Sequence, residues 1–180
     1  GVNYDAIITI TAINNALISD FDQIATTNSN TAAHFSPQVL WIGAGSISYT
    51  LDFIEDFTSG TPVPAVLGDF YLTAWDLDGV GPSGAYFETQ ELTSYTLGAS
   101  SVINYTSSGT GQGTFSNSNA SSNTSGTDGT SRVTVGYSSA SSVRFSIGSS
   151  GSGSKTHLIS GANPTSWFPT SATETTFPNI

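Results

Sequence analysis

The feature that most constrains this chain is an alternation of apolar and polar residues with a period of two. Ile47, Tyr49, Leu51 and Phe53 alternate with Ser48, Thr50 and Asp52, and successive side chains point to opposite faces only when the backbone is extended. No window of helical length carries the apolar stripe that an amphipathic helix needs. The expectation is therefore an all-β fold. A first strand, rich in β-branched residues, is expected over residues 6–13, and a short one over 39–42, bounded by Pro37 and a Gly43-Ala44-Gly45 turn. The alternating segment follows, then a strand over 70–77 after the Pro62-Val63-Pro64 break, with further strands over 93–97, 101–105, 132–137 and 142–147. About eight strands separated by turn signals imply a two-layer antiparallel β-sandwich.

At 180 residues the chain has a size that all-β domains reach as one unit, so a single sandwich domain over 1–180 is expected. Residues 163–180 mix Pro, Thr and aromatics without periodicity, and either pack along the sandwich or form a tail or linker. Residues 107–131 are Ser, Gly, Asn and Thr with Phe115 as the one large apolar side chain. They suggest a long loop, either functional or a floppy surface excursion.

Charge narrows the function. Arg132, Arg144 and Lys155 are the only bases and the formal charge is -10, which argues against nucleic acid, whose phosphates need clustered cations, and against an anionic membrane surface. No apolar run approaches the roughly 20 residues of a membrane span, so membrane insertion is not expected. With no Cys, neither a disulfide framework nor a thiolate metal site is possible. An acidic, Lys-poor, hydroxyl-rich composition suggests an extracellular or cell-surface location, as part of a larger exported protein.

Eight of the thirteen carboxylates fall within residues 52–91, which hold no Lys or Arg. A bound cation would relieve that crowding. The expected strand there ends in Asp76-Leu77-Asp78-Gly79, and Glu88 and Glu91 follow across a loop containing Gly79, Gly81 and Gly84. Carboxylates two apart at a strand end share a face, and glycine lets the chain curl so that a later carboxylate can converge. Oxygen-only ligands suit a hard ion, with Ca2+ the best fit. Asp76, Asp78, Glu88 and Glu91 are thus candidate metal ligands, against the plainer reading of a solvated turn. The loop is not an EF-hand, because its fifth and twelfth positions are Val80 and Phe87. Asp20 and Asp22, around Phe21, form a second candidate pair or a simple turn. Asp52, Glu55 and Asp56 fall on differing faces of an extended strand, and Asp128 sits in a Gly126-Thr127-Asp128-Gly129 sequence that suggests a β-turn.

Catalytic signals are thin. His34 and His157 are the only groups that titrate near neutrality, neither lies in a nucleophile motif, and no G-x-S-x-G occurs. Carboxylates in this number pair by accident, so the chain is not expected to be an enzyme. Trp41, Trp75 and Trp167 are more naturally core than ligand platform.

The segments DFYLTAWDLDG, YFETQEL and SISYTLDFIEDFTSGTPVP resemble a family of calcium-dependent adhesin domains of Gram-negative bacteria. They are most similar to the ligand-binding, peptide-binding domain of RTX adhesins, although G-G-x-G-x-D repeats are absent from this chain. The resemblance implies a β-sandwich with long calcium-stabilised loops, in which Asp76, Asp78 and one of Glu88 and Glu91 ligate calcium. It further implies cell adhesion through short peptides, the free C-terminal carboxylate of a target protein being gripped with the help of one ion. Two alternatives stay open: a calcium-dependent, lectin-like module that binds glycan, and a calcium-rigidified structural spacer.

Overall fold

The computed structural model describes residues 4–22, 35–55, 57–77, 84–117, 129–161 and 173–177. Their regular structure is almost wholly strand: β1 (Tyr4–Asp20), β2 (Gln38–Glu55), β3 (Phe70–Trp75), β4 (Ala85–Gln90), β5 (Ser94–Leu97), β6 (Ile103–Gly109), β7 (Gln112–Asn117), β8 (Val133–Tyr137), β9 (Ser142–Ser149), β10 (Gly153–Thr156), β11 (Leu158–Gly161) and β12 (Thr173–Thr176). Two short 3-10 turns, Phe57–Ser59 and Gly129–Ser131, are the only helical elements among the described residues. None of these is long and apolar enough to cross a membrane.

The strands form two antiparallel sheets. The larger runs β1-β2-β9-β4-β7-β6, with β10 also on β2, and the smaller runs β11-β3-β8-β5-β12. The alternation in β2 decides which face is inside. Ile47, Tyr49 and Leu51 lie opposite Ile147, Phe145 and Val143 of β9, and Phe87 of β4 lies opposite Ile147 and Phe115. Leu72 and Ala74 of β3, opposite Val135 and Val133 of β8, supply the facing layer. All of these are buried in one apolar cluster, and burying each large side chain contributes about 1.5–3 kcal/mol. A hydroxyl pair, Thr89 of β4 with Tyr137 of β8, spans the two layers. Burial leaves the Tyr137 phenol well above its usual pKa, an effect partly offset by that hydrogen bond.

The outer face of the larger sheet is polar because the intervening residues are. Ala12, Ser48, Ser146, Glu88, Thr114 and Thr106 follow one another across five strand pairings, and the Ser48 and Ser146 hydroxyls share a hydrogen bond of 2.9 Å.

Two expectations change in the structure. The Gly43-Ala44-Gly45 segment is no turn. It lies inside β2, where the β1 register jumps from Asn14↔Ser46 to Ala16↔Trp41. The extra residues form a bulge, closed by a bond from Asn15 Nδ2 to the Ala44 carbonyl at 2.9 Å, with Asn15 left-handed at φ 51°. A Cβ on Gly45 would stand 2.2 Å from the Asn14 carbonyl oxygen, so only glycine lets the strands approach this closely.

The expected loop over 107–131 is in large part a hairpin. β6 continues to Gly109, the chain reverses through Thr110 and Gly111 (φ 63°), and β7 returns beside it. Small polar residues suit an edge hairpin with one solvated face, and Phe115, fully buried, is its inward anchor. Residues 118–128 lie outside the described part. In the tail, β12 pairs with β5 and completes the smaller sheet, and the Phe177 ring sits 5.9 Å from that of Tyr95.

Gly45→Ala is expected to cost about 2 kcal/mol or more through backbone overpacking. Gly43→Ala, where a Cβ meets nothing within 4 Å, should cost much less. Chemical denaturation of the two variants checks this.

Candidate functional site

The best candidate lies where the chain leaves β3. Asp76 takes a left-handed conformation, φ 56°, which a non-glycine residue rarely adopts and an aspartate tolerates better than most. This conformation turns the chain sharply out of the strand. The next residue is held from two sides: Leu77 N–H donates to the Ser131 carbonyl at 2.9 Å, and Asn117 Nδ2 donates to the Leu77 carbonyl at 3.1 Å. Leu77 itself is buried. The exit of β3 is therefore joined to the end of β7 and to the Gly129–Ser131 turn.

Asp76 is half-buried, with its Oδ1 shielded from solvent. Asp78 lies outside the described residues, as does Asp128, which immediately precedes that turn.

Arg132 follows the turn and is buried, its guanidinium 4.9 Å from the Trp75 ring centre, a favourable cation–π distance. Trp75 in turn donates from Nε1 to Ser160 Oγ at 2.8 Å. The acidic stretch, which holds no base in sequence, thus has Arg132 beside its strand end in space. The crowding that suggested a cation is partly relieved from elsewhere in the chain.

Glu88 and Glu91 stand apart from Asp76. Since Asn117 follows Ser116, the partner of Tyr86, the β3 exit adjoins the Ala85 end of β4. Glu88 and Glu91 are three and six residues further along, about 10 and 20 Å at strand rise. Glu88 lies on the outer face beside Ser146 and Thr114. Glu91, left-handed at φ 64°, accepts from Arg144 Nη2 at 2.5 Å, both side chains being 55% exposed. Such a surface pair contributes little to stability.

The carboxylates of the second pair hold the local backbone. Asp20 Oδ1 accepts from the Asp22 amide at 3.2 Å and Asp22 Oδ1 from the Ser36 amide at 2.9 Å, as in an Asx turn. Asp5, with no role assigned from sequence, accepts from the Phe57 amide at 2.9 Å and holds the first 3-10 turn. Among the described residues no three His, Asp or Glu side chains gather into one group.

Two concavities escaped the sequence reading. An apolar cavity of about 410 Å³ opens between the sheets beside β1, lined by Phe53, Phe70, Leu72 and Ile159 among others. A polar depression of about 240 Å³ on the outer face of the larger sheet is lined by Ser48, Glu88, Gln90, Arg144 and Ser146. Both depend on cross-strand register, and the only sequence signal is the parity of each residue in its strand.

His157 is buried, with Trp41 edge-on at 5.7 Å, so it has no access to a substrate. Its pKa is pushed down to about 3, mainly by burial and then by nearby Lys155. His34 and Trp167 lie outside the described residues. Comparison with known proteins finds no family model that matches the chain and no curated protein or solved structure that matches it.

A base whose folded pKa lies below its unfolded value of about 6.5 takes up a proton on unfolding. The stability His157 contributes is therefore complete above pH ~6.5 and is lost as pH falls toward 3, by about 1.4 kcal/mol per unit. In His157→Leu this loss should vanish while the carboxylates titrate as before. The stability difference between wild type and variant, measured by denaturant unfolding at neutral and mildly acid pH, should shift in favour of the variant at the lower pH.

Proposed function

We propose that the chain is a calcium-dependent adhesin module of the cell surface. On this reading it binds short peptides by a free C-terminal carboxylate and attaches its parent protein to a target cell. The observation that carries the reading is the β3 exit. There a half-buried aspartate in a left-handed turn opens an acidic Asp-Leu-Asp-Gly segment and is tied by the Leu77–Ser131 bond to the turn that follows Asp128. A carboxylate at a constrained strand end, together with backbone carbonyls, suits a hard cation. A partly coordinated ion would let a carboxylate approach a chain of charge -10. Asp76 and Asp78 are the first ligands of this proposal. Glu88, on β4, and Glu91, just past it, stand too far from Asp76 to join it, and Asp20 and Asp22 are a separate and weaker candidate. The resemblance of the DFYLTAWDLDG segment to peptide-binding adhesin domains supports the same assignment.

A second reading rests on the polar depression around Glu88, Gln90 and Arg144. Carboxylate, amide and guanidinium groups side by side can bridge sugar hydroxyls, so this surface favours a glycan-binding module.

Calcium, binding only the folded site, should add about 2.7 kcal/mol of stability at a hundredfold excess over Kd and so raise the unfolding midpoint. Asp76→Asn should weaken calcium affinity about tenfold or more, whereas Glu91→Gln should leave it unchanged. Equal midpoints in calcium and in chelator, or equal calcium titrations for wild type and Asp76→Asn, would remove the ion from this site.

For ligand binding, the test is a C-terminal amide. Amidating a bound peptide replaces a charged metal ligand by a neutral, poorer one, and affinity should fall to background. Affinity that survives amidation and is lost on Glu88→Gln with competition by simple sugars would move the assignment to the polar depression.

A further inference from the structure

The geometry points to self-association of this chain through the free edge of β1, in a two-fold, antiparallel pairing of residues 4–10 with the same residues of a second copy. This inference does not rest on the calcium reading.

β1 is 17 residues long and hydrogen-bonds only to β2 among the described strands, so its outer edge presents unpaired backbone donors and acceptors. Edges of this kind are templates for another strand unless blunted by charge, proline or bulges. Residues 6–19 contain no charged residue and no proline, and Tyr4, Ile7, Ile13 and Leu17 are 49%, 40%, 52% and 57% exposed. Bulges interrupt the β1–β2 register after Ile10, Asn14 and Ile18. The uninterrupted part is therefore residues 4–10, long enough for an ordinary strand pairing. The other described outer edges are shorter or interrupted: β10, β11 and β12 have 4 residues each, and β6, with 7, carries a register shift after Ser107.

A second copy is the occupant this segment fits. Centred on Ile7, an antiparallel self-pairing sets Ile7 against Ile7, Ala6 against Ile8, Asp5 against Thr9 and Tyr4 against Ile10. No like charges meet, and the inward positions Tyr4, Ala6, Ile8 and Ile10 are all apolar. On a chain of charge -10, a segment whose one charge, Asp5, faces the neutral Thr9 of the other copy lets two copies approach with little repulsion. Closure gives a further reason. Tyr4, Ala6 and Ile8 line the open apolar cavity with Phe70, Leu72 and Ile159, and a two-fold normal to the sheet keeps both inner faces on one side. One operation therefore pairs the free edges and brings together the β1 residues that line each copy's cavity, so that the same surface is used on both copies, as an isologous interface requires.

The test uses the absence of cysteine from the described chain and from its full sequence, so that any introduced thiol is read alone. Sedimentation velocity of wild type up to about 0.3 mM should show a reversible monomer–dimer equilibrium. Ile7→Lys, at an exposed position, should weaken it about tenfold or more while leaving the circular dichroism spectrum and melting temperature intact. Ile7→Cys should form a disulfide-linked dimer under mild oxidation. Thr9→Cys should not, because the paired copies place its two thiols about 13 Å apart along the strands, beyond the reach of a disulfide. A wild type that stays monomeric throughout, an Ile7→Lys variant that dimerises as wild type does, or crosslinking of Thr9→Cys in place of Ile7→Cys would each overturn the assignment.

Discussion

Much of this structure depends on β2 being paired along both sides. Its 18 residues meet β1 on one flank and β9 and β10 on the other, so its backbone groups are satisfied by neighbouring strands over most of its length. With its register fixed from both directions, the parity of Ile47, Tyr49, Leu51 and Phe53 cannot slip without turning the whole apolar set to solvent. The second layer then has a defined surface to cover. Even the irregularity near Gly45 serves that alignment: the bulge absorbs the mismatch between β1 and β2, and residues on either side keep their proper faces.

The charge distribution has to be understood in space. A run of carboxylates without bases in sequence is joined in the fold by Arg144, reaching Glu91 from β9, and by Arg132, lying on Trp75 at the end of β3. Both arginines therefore moderate the field of the acidic stretch at different points. What remains acidic and close to a constrained backbone turn is the Asp76 end of β3. The site proposed there is narrower than the carboxylate count suggests, and Glu88 falls to a different surface with different chemistry.

The all-β class and the inner face of β2 were legible because period-two alternation is a local property, decided by neighbouring residues. So were the strands over 70–75, 133–137 and 142–149, apart from a residue or two at their ends. The β6–β7 hairpin was hidden because its residues are small and polar, with Phe115 as the one apolar signal and with its pairing set by a turn at Gly111. The Gly43-Ala44-Gly45 bulge was mistaken for a turn because glycine serves both, and only the close approach of Asn14 distinguishes them. Asp76 was legible as a strand-end acid. The separation of Glu88 and Glu91 from it was not, since two residues close in sequence diverge once an extended strand lies between them.

The order of strand pairing also bears on how the molecule is made. β1 finds β2 from the adjacent stretch of chain, but β2 must wait for β9, about a hundred residues later, and β5 for β12 near the C-terminal end. Contacts this distant close large loops before they return any free energy, which slows folding. A chain threaded out from its N-terminus would emerge with β1 and β2 formed and their inner faces bare. It could acquire its second layer only when nearly all of it had passed through, so the unfinished hairpin would need protection from its neighbours during that interval.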